Sequence, residues 1–205
     1  MISHKHKCIF IHIPRTGGTS IEHAIFGGNW WSIDKSTKHI TASQAKKIYS
    51  DFWDDYFKFA FVRNPYDRAI SLLNFSSIYY GSSDKESLTL AHIDGYKQKF
   101  GAPLTLEYDY RFYKREEVIR PIHDFNQVYG NILDEPLDFV GKFENLESDV
   151  KYLFNKLGVE KENIPHAARS SNLRDDKSSH FQSLAVKRLV GELYYHDFKK
   201  FGYNI

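Results

Sequence analysis

The sequence predicts an α/β fold, with a central parallel sheet and helices on both faces, in one domain spanning residues 1–205. Three observations predict it. Short apolar runs rich in β-branched and aromatic residues recur at Ile9–Ile13, Phe57–Val62 and Leu137–Phe143. Each run ends in a turn signal followed by a helical pattern, and strands that alternate with helices pair in parallel through crossovers. The chain has 205 residues, 41% of them hydrophobic and 26% charged, enough for one substantial core and unlike a disordered chain.

In chain order, the first run stops at Pro14 and passes through Arg15-Thr16-Gly17-Gly18-Thr19-Ser20 into a helix with Ile21, Ala24 and Ile25 on its apolar face. Residues 27–40 are loop-like. Thr41 and Gln44 match a capping box and open a short helix through about Asp51. After the second run, Asn64 is placed to cap and Pro65 to take the first helical position of a helix reaching about Ser76. Residues 77–112 carry Gly81, Gly95, Gly101 and Pro103 and read as an irregular insertion with short helices. Residues 113–134 are helical in part. Glu144 is expected to order the turn after the third run. A helix from Glu147 to Leu157 follows, with Val150, Leu153, Phe154 and Leu157 on one face and Gly158 closing it. A polar loop over 159–181 holds His166, Arg169, Ser170, Ser171, Asn172, Arg174 and Lys177, and a last helix covers about Gln182 to Phe198.

Composition narrows the function classes. With 28 basic and 26 acidic residues, a general nucleic-acid surface is not expected. No apolar run approaches the roughly 18 residues of a transmembrane helix, and no signal peptide is expected before the first strand. The lone Cys8, heading a buried strand, reads as a packed thiol rather than a nucleophile. One cysteine makes no intramolecular disulfide and no thiolate zinc cluster. A reducing, cytoplasmic setting fits this usage, a trimmed luminal catalytic domain being the alternative.

The chemistry concentrates at two turns. The glycines after the first strand permit close approach to backbone. Helix-start N–H groups, the Thr16, Thr19 and Ser20 hydroxyls and Arg15 then make a cradle for phosphate or sulfate. In a parallel sheet, ligands gather at the carboxyl ends of strands, so the turn carrying Arg63 is expected to share the site. Ser71 lies eight residues on, and helical side chains lean toward the helix N-terminus, so Arg63 and Ser71 can grip a second phosphate. The triphosphatase pattern G-x-x-x-x-G-K-[ST] is absent, since Thr19 follows Gly18, and G-x-G-x-x-G is absent too.

These residues resemble a known family. Ile11–Ser20, IHIPRTGGTS, resembles the PKTGGTS 5′-phosphosulfate loop of sulfotransferases, and Phe61–Ser71, FVRNPYDRAIS, resembles their 3′-phosphate motif. Phe139–Leu146, FVGKFENL, and Tyr195–Tyr203, YHDFKKFGY, are similar to further family segments. The likeness is greatest to the carbohydrate-type branch that includes heparan sulfate 2-O-sulfotransferases and bacterial relatives, and it covers the chain except about 77–112.

The resemblance implies a P-loop-like three-layer fold. It implies transfer of a sulfuryl group from 3′-phosphoadenosine 5′-phosphosulfate (PAPS) to a hydroxyl or amine, releasing 3′,5′-adenosine bisphosphate (PAP) without a metal. A carbohydrate or small hydroxylated acceptor is implied, with 77–112 shaping its side of the site. Arg15, Thr16, Gly17, Gly18, Thr19 and Ser20 would hold the 5′ end, and Arg63 and Ser71 the 3′-phosphate. His39 matches the position of the branch's catalytic histidine, and an ordinary histidine pKa suits a base near neutrality. His166 is the weaker candidate, and His12 reads as a hydrogen-bonded core residue. Arg15 stands where lysine is commoner; it keeps charge and a bidentate fork but does not donate a proton. Arg68 is expected to pair with a surface carboxylate, and Trp30 and Trp31 either stack on a sugar ring or pack. Two other classes remain open: a nucleotide kinase-like phosphotransferase, and a non-catalytic module binding nucleotide or sulfated glycan.

Overall fold

The computed structural model describes residues 1–34, 37–80, 128–160 and 184–205. In chain order its elements are β1 (Ile2–Ser3), β2 (Cys8–Ile11), α1 (Gly18–Ile25), α2 (Trp30–Asp34), α3 (Ala42–Ile48), α4 (Ser50–Trp53), β3 (Phe57–Val62), α5 (Pro65–Tyr80), α6 (Tyr129–Ile132), β4 (Phe139–Lys142), α7 (Leu146–Leu157), α8 (Leu184–Leu193) and α9 (Tyr195–Lys200). The chain divides into two compact units.

The first unit, which includes residues 1–63 and those after Ile132 through α7, is built on a four-stranded sheet in the order β1-β2-β3-β4. Strands β2, β3 and β4 are parallel, with Phe10 opposite Phe59 and Phe59 opposite Phe139. Side chains alternate across a strand, so Cys8, Phe10, Phe59 and Phe61 share a face. They pack with Ile21, Ala24 and Ile25 of α1, Val150, Leu153 and Phe154 of α7, and Trp30. The Phe10 and Phe59 rings stack at 4.8 Å. On the opposite face Ile9, Ile11, Ala60 and Val62 are fully buried, and α3 packs against β2. Burial on both faces is why these strands read as continuous apolar runs.

The sheet is mixed, which corrects the expectation of a purely parallel one. Ile2 and Ser3 form β1, antiparallel to β2. Two residues are too short to show a period, so the terminus carried no strand signal. The same segment is tied down further on. The His4 ring stands edge-on to Phe52, its Nδ1 is 2.9 Å from the Tyr56 hydroxyl, and His6 Nδ1–H donates to the Leu157 carbonyl. Residues 27–40 also hold more order than expected, because α2 forms within them.

Local chemistry fixes the element ends. Thr41 and Gln44 make the reciprocal capping box at α3, and Gly158 closes α7 in the left-handed conformation, with φ 62°. The turn after β4 is held by Asp149, whose carboxylate accepts from the Lys142 N–H at 2.7 Å, while Glu144 is exposed. Gly141 sits where a Cβ would meet the Phe61 ring at 2.4 Å, so only glycine fits there.

The second unit, with α5, α8 and α9, has its own core of Ala69, Leu72, Val128, Val190, Leu193, Tyr194 and Phe198. Asn64 caps α5 by accepting from the Tyr66 N–H at 2.9 Å, with Pro65 in the first helical position. α5 runs to Tyr80, past the expected end near Ser76. The last helix is two, α8 and α9, parted at Tyr194, whose ψ of 17° leaves helical geometry. Arg68, expected at the surface, is fully buried over the Tyr129 ring, its guanidinium carbon 5.0 Å from the centroid. The carboxylate whose charge it faces is Asp197, itself buried, which accepts the N–H groups of Tyr129 and Gly130. Most of the expected insertion at 77–112, most of 113–134 and most of the loop at 159–181, including His166 and Arg169 to Lys177, lie outside the described residues.

Burial raises the Asp197 carboxyl to about 6, outweighing its two backbone N–H donors and the nearby Arg68 charge. Between its ordinary 3.8 and about 6, the folded chain keeps a proton that the unfolded chain has released, so stability falls as pH rises through that window. Asp197→Asn should flatten this slope in urea-unfolding curves taken from pH 4 to 7; parallel wild-type and variant curves would contradict the assignment.

Candidate active site

The site grows from the exit of β2. The chain leaves the strand through His12, Ile13 and Pro14, and Arg15 and Gly17 both take left-handed backbone angles, with φ 69° and 85°. For Gly17 this is free of penalty; for Arg15 it is strained. The Thr16 hydroxyl braces the turn by donating to the Ile13 carbonyl at 2.9 Å, and Thr16 is fully buried. The Thr16 hydroxyl proton is thus directed at the backbone of the turn itself. α1 begins at Gly18 with no side-chain cap on its N-terminus. Helix-start N–H groups have no acceptor within their helix. The Ser20 N–H, however, donates to the Gly17 carbonyl at 3.1 Å. Thr19 and Ser20 are half-buried in the first turn.

Arg63 leaves the end of β3 beside this turn. Its Nη1 donates to the Arg15 carbonyl at 3.4 Å, and its guanidinium lies over the Phe143 ring, 4.4 Å from the centroid. Burial and the neighbouring Arg63 charge lower the Arg15 pKa. Two like charges are thus held together at the positive end of a helix, an arrangement that attracts an anion. Ser71 belongs to the second unit, in α5 beyond Asn64 and Pro65.

A second group of polar residues is buried next to the turn. Glu22, on α1, has no exposure, and its Oε1 lies 2.5 Å from His12 Nδ1. Its Oε2 accepts from the Trp30 N–H and from Lys38 Nζ, each at 2.9 Å. Lys38 also donates to Asn29 Oδ1 at 3.0 Å, and the Trp30 indole N–H donates to the Thr37 hydroxyl at 2.9 Å. Burial would raise the Glu22 carboxyl, but His12, the Trp30 N–H and Lys38 together bring it down to about 2, so it is ionised. Burial lowers the pKa of His12, with Glu22 opposing. Lys38 is lowered by burial, with Glu22 opposing.

His39 sits against this group. Its Nδ1 is 2.8 Å from the His12 carbonyl, and the two rings are 4.3 Å apart. A carbonyl only accepts, so Nδ1 carries the proton and the neutral ring's lone pair lies on Nε2. His39 is 4% exposed and has φ 58°, strained for a residue with a side chain.

The structure therefore brings Arg15, Gly17, Gly18, Thr19, Ser20 and Arg63 together at one turn and places His39 beside the same strand end. His12 is buried, as a core reading expects. Trp30 packs in the core with its indole N–H on Thr37, so it presents no sugar-stacking face. Cys8 is fully buried and its thiol is pushed up to about 12, which suits a packed group and not a nucleophile. Sequence reasoning missed Glu22 and Lys38. A carboxylate between Ile21 and Ala24 on a buried helix face is itself a signal, because a buried charge requires partners.

Comparison with known proteins gives the class. The chain matches the sulfotransferase family model over residues 1–204. It belongs to the sulfotransferase family, whose reaction is the transfer of a sulfuryl group. Searches of curated proteins and of solved structures returned no match. No helix among the described residues is long and apolar enough to cross a membrane.

Gly18 gives a direct probe of the turn. A Cβ there would lie 2.1 Å from the His12 ring, which Glu22 holds in place. Gly18→Ala should lower stability by about 1–3 kcal/mol in urea unfolding, since either the turn or His12 must shift. An unchanged stability would contradict the placement.

Proposed function

We propose that this sulfotransferase uses PAPS and transfers its sulfuryl group to a hydroxyl or amine of a carbohydrate acceptor. The observation that carries the reading is the pairing of Arg15 and Arg63 at the uncapped start of α1. Cations and N–H groups converging at a helix start suit the phosphosulfate end of a nucleotide, and the absence of Lys after Gly18 turns the site away from triphosphates. The P-loop-like character of this turn is part of the same proposal. Arg63 and Ser71 are assigned to the 3′-phosphate from their spacing and the resemblance of their motif.

PAPS supplies a sulfuryl group on a phosphate leaving group. The chain's own residues then have separate tasks. Arg15 and the N–H groups at the start of α1 hold the negative charge that gathers on the phosphate oxygen as its bond to sulfur breaks. Arg15 does this as a fixed charge, without giving up a proton. His39 takes the acceptor's proton on Nε2 as the acceptor's new bond to sulfur forms. Its Nδ1–H on the His12 carbonyl supplies the tautomer for that role.

The test is transfer of labelled sulfuryl from PAPS to chemically desulfated heparin. His39→Ala should lower kcat by about 100-fold or more, the range of a lost general base, while PAP still binds. Full activity in His39→Ala would remove it as the base. PAP binding with no transfer by either protein to this or any small hydroxylated acceptor tried would favour a binding module. Competition by ATP with magnesium for the PAP site would favour a phosphotransferase.

A further inference from the structure

The Glu22 carboxylate is more than a buried charge that needed neutralising. It touches three separate stretches of chain: His12 at the end of β2, the N-terminus of α2 through the Trp30 N–H, and Lys38 through its ammonium. Two of these contacts bear on His39. Lys38 is its neighbour in sequence, and His12 provides the carbonyl that accepts from its Nδ1. On the other side Thr41 is fixed by the capping box of α3. His39 is therefore suspended between two anchored residues, in a left-handed backbone conformation that a histidine does not hold without such support.

We propose that Glu22 is a positioning residue for the transfer step: by fixing Lys38 and His12 together it holds His39 with Nδ1–H on the His12 carbonyl and its lone pair on Nε2. This rests on the reading of His39 as the base. Glu22 itself touches no reacting atom. A carboxylate is suited to the task because it accepts from several donors at once, and complete burial keeps water from replacing any of them. Its contact with the His12 ring, which lies where a Gly18 side chain would go, also anchors the end of β2 that presents the carbonyl to His39.

The experiment uses ring-15N histidine in the full chain. In the wild type, at pH 8, His39 should show one tautomer, a protonated Nδ1 with an unprotonated Nε2. Glu22→Gln keeps the shape and removes the charge. It should give exchange-averaged His39 ring signals, with PAP affinity within about threefold of the wild type. With PAPS and desulfated heparin, kcat should fall about tenfold or more while KM for PAPS changes less than about threefold. Lys38→Met, which keeps Glu22 and His12 together, should show the same split in smaller measure and serves if Glu22→Gln does not fold. Mixed His39 tautomers in the wild type, or an unchanged His39 spectrum in a folded variant, would overturn the proposal. Failure of His39 as the base shows separately, as full transfer by His39→Ala, and leaves the ring spectra to report on positioning alone.

Discussion

The candidate site depends on one buried ionic group. Glu22 sits at zero exposure with His12, Lys38 and the Trp30 N–H around it. Each of these groups would be expensive to bury alone, and each is tolerable because the others are present. Taking one charged member from such a group is destabilising by about 3–5 kcal/mol, mainly because it strands the rest. The consequence is structural specificity. The polar group ties α1, the end of β2, the start of α2 and the segment before α3 to one another, and those are the pieces that surround the turn. Two strained backbone positions, Arg15 and His39, lie in the same neighbourhood. Strain of this kind persists where the surrounding contacts over-determine the conformation.

The turn has the opposite character. Glu22 gathers Lys38, His12 and the Trp30 N–H around a buried anion, while the start of α1 collects Arg15 and Arg63 without placing a carboxylate side chain as its cap. The neutralised group and the positive group are separated by a single helical turn. One short stretch thus combines a neutralised buried group with a positive turn. Glycine at 18 is what lets the two meet, because the His12 ring occupies the volume a side chain would need.

Much of this was legible in the sequence, for reasons that differ by element. Strands β2 and, over Phe59–Val62, β3 are buried on both faces, so their apolar runs announce them, while β4 at the sheet edge is half-buried around a buried Gly141. The starts of α3 and α5 were legible because Thr41 with Gln44, and Asn64 with Pro65, act within a few residues of one another. β1 was not, since a two-residue antiparallel pairing depends on what lies across from it. Arg68 was misread because a charge one turn into a helix looks solvated until its neighbours are known; here Tyr129 and Asp197 bury it. The convergence of Arg15 and Arg63 followed from strand order alone. The Glu22 group did not, because its members come from positions 12, 22, 30 and 38 and no spacing rule joins them. The Thr16 hydroxyl's donation to the Ile13 carbonyl, three residues back, was likewise not announced by the motif.

The central claim is that Arg63 and the Arg15 turn recognise a nucleotide carrying phosphate at both its 3′ and 5′ positions. Thermal-shift titration with PAP beside adenosine 5′-monophosphate tests it most directly, because a ligand that binds only the native state raises stability by RT ln(1 + [L]/Kd). The account predicts a larger shift with PAP than with the monophosphate in the wild type, and equal shifts in Arg63→Ala. Equal shifts in the wild type would contradict it.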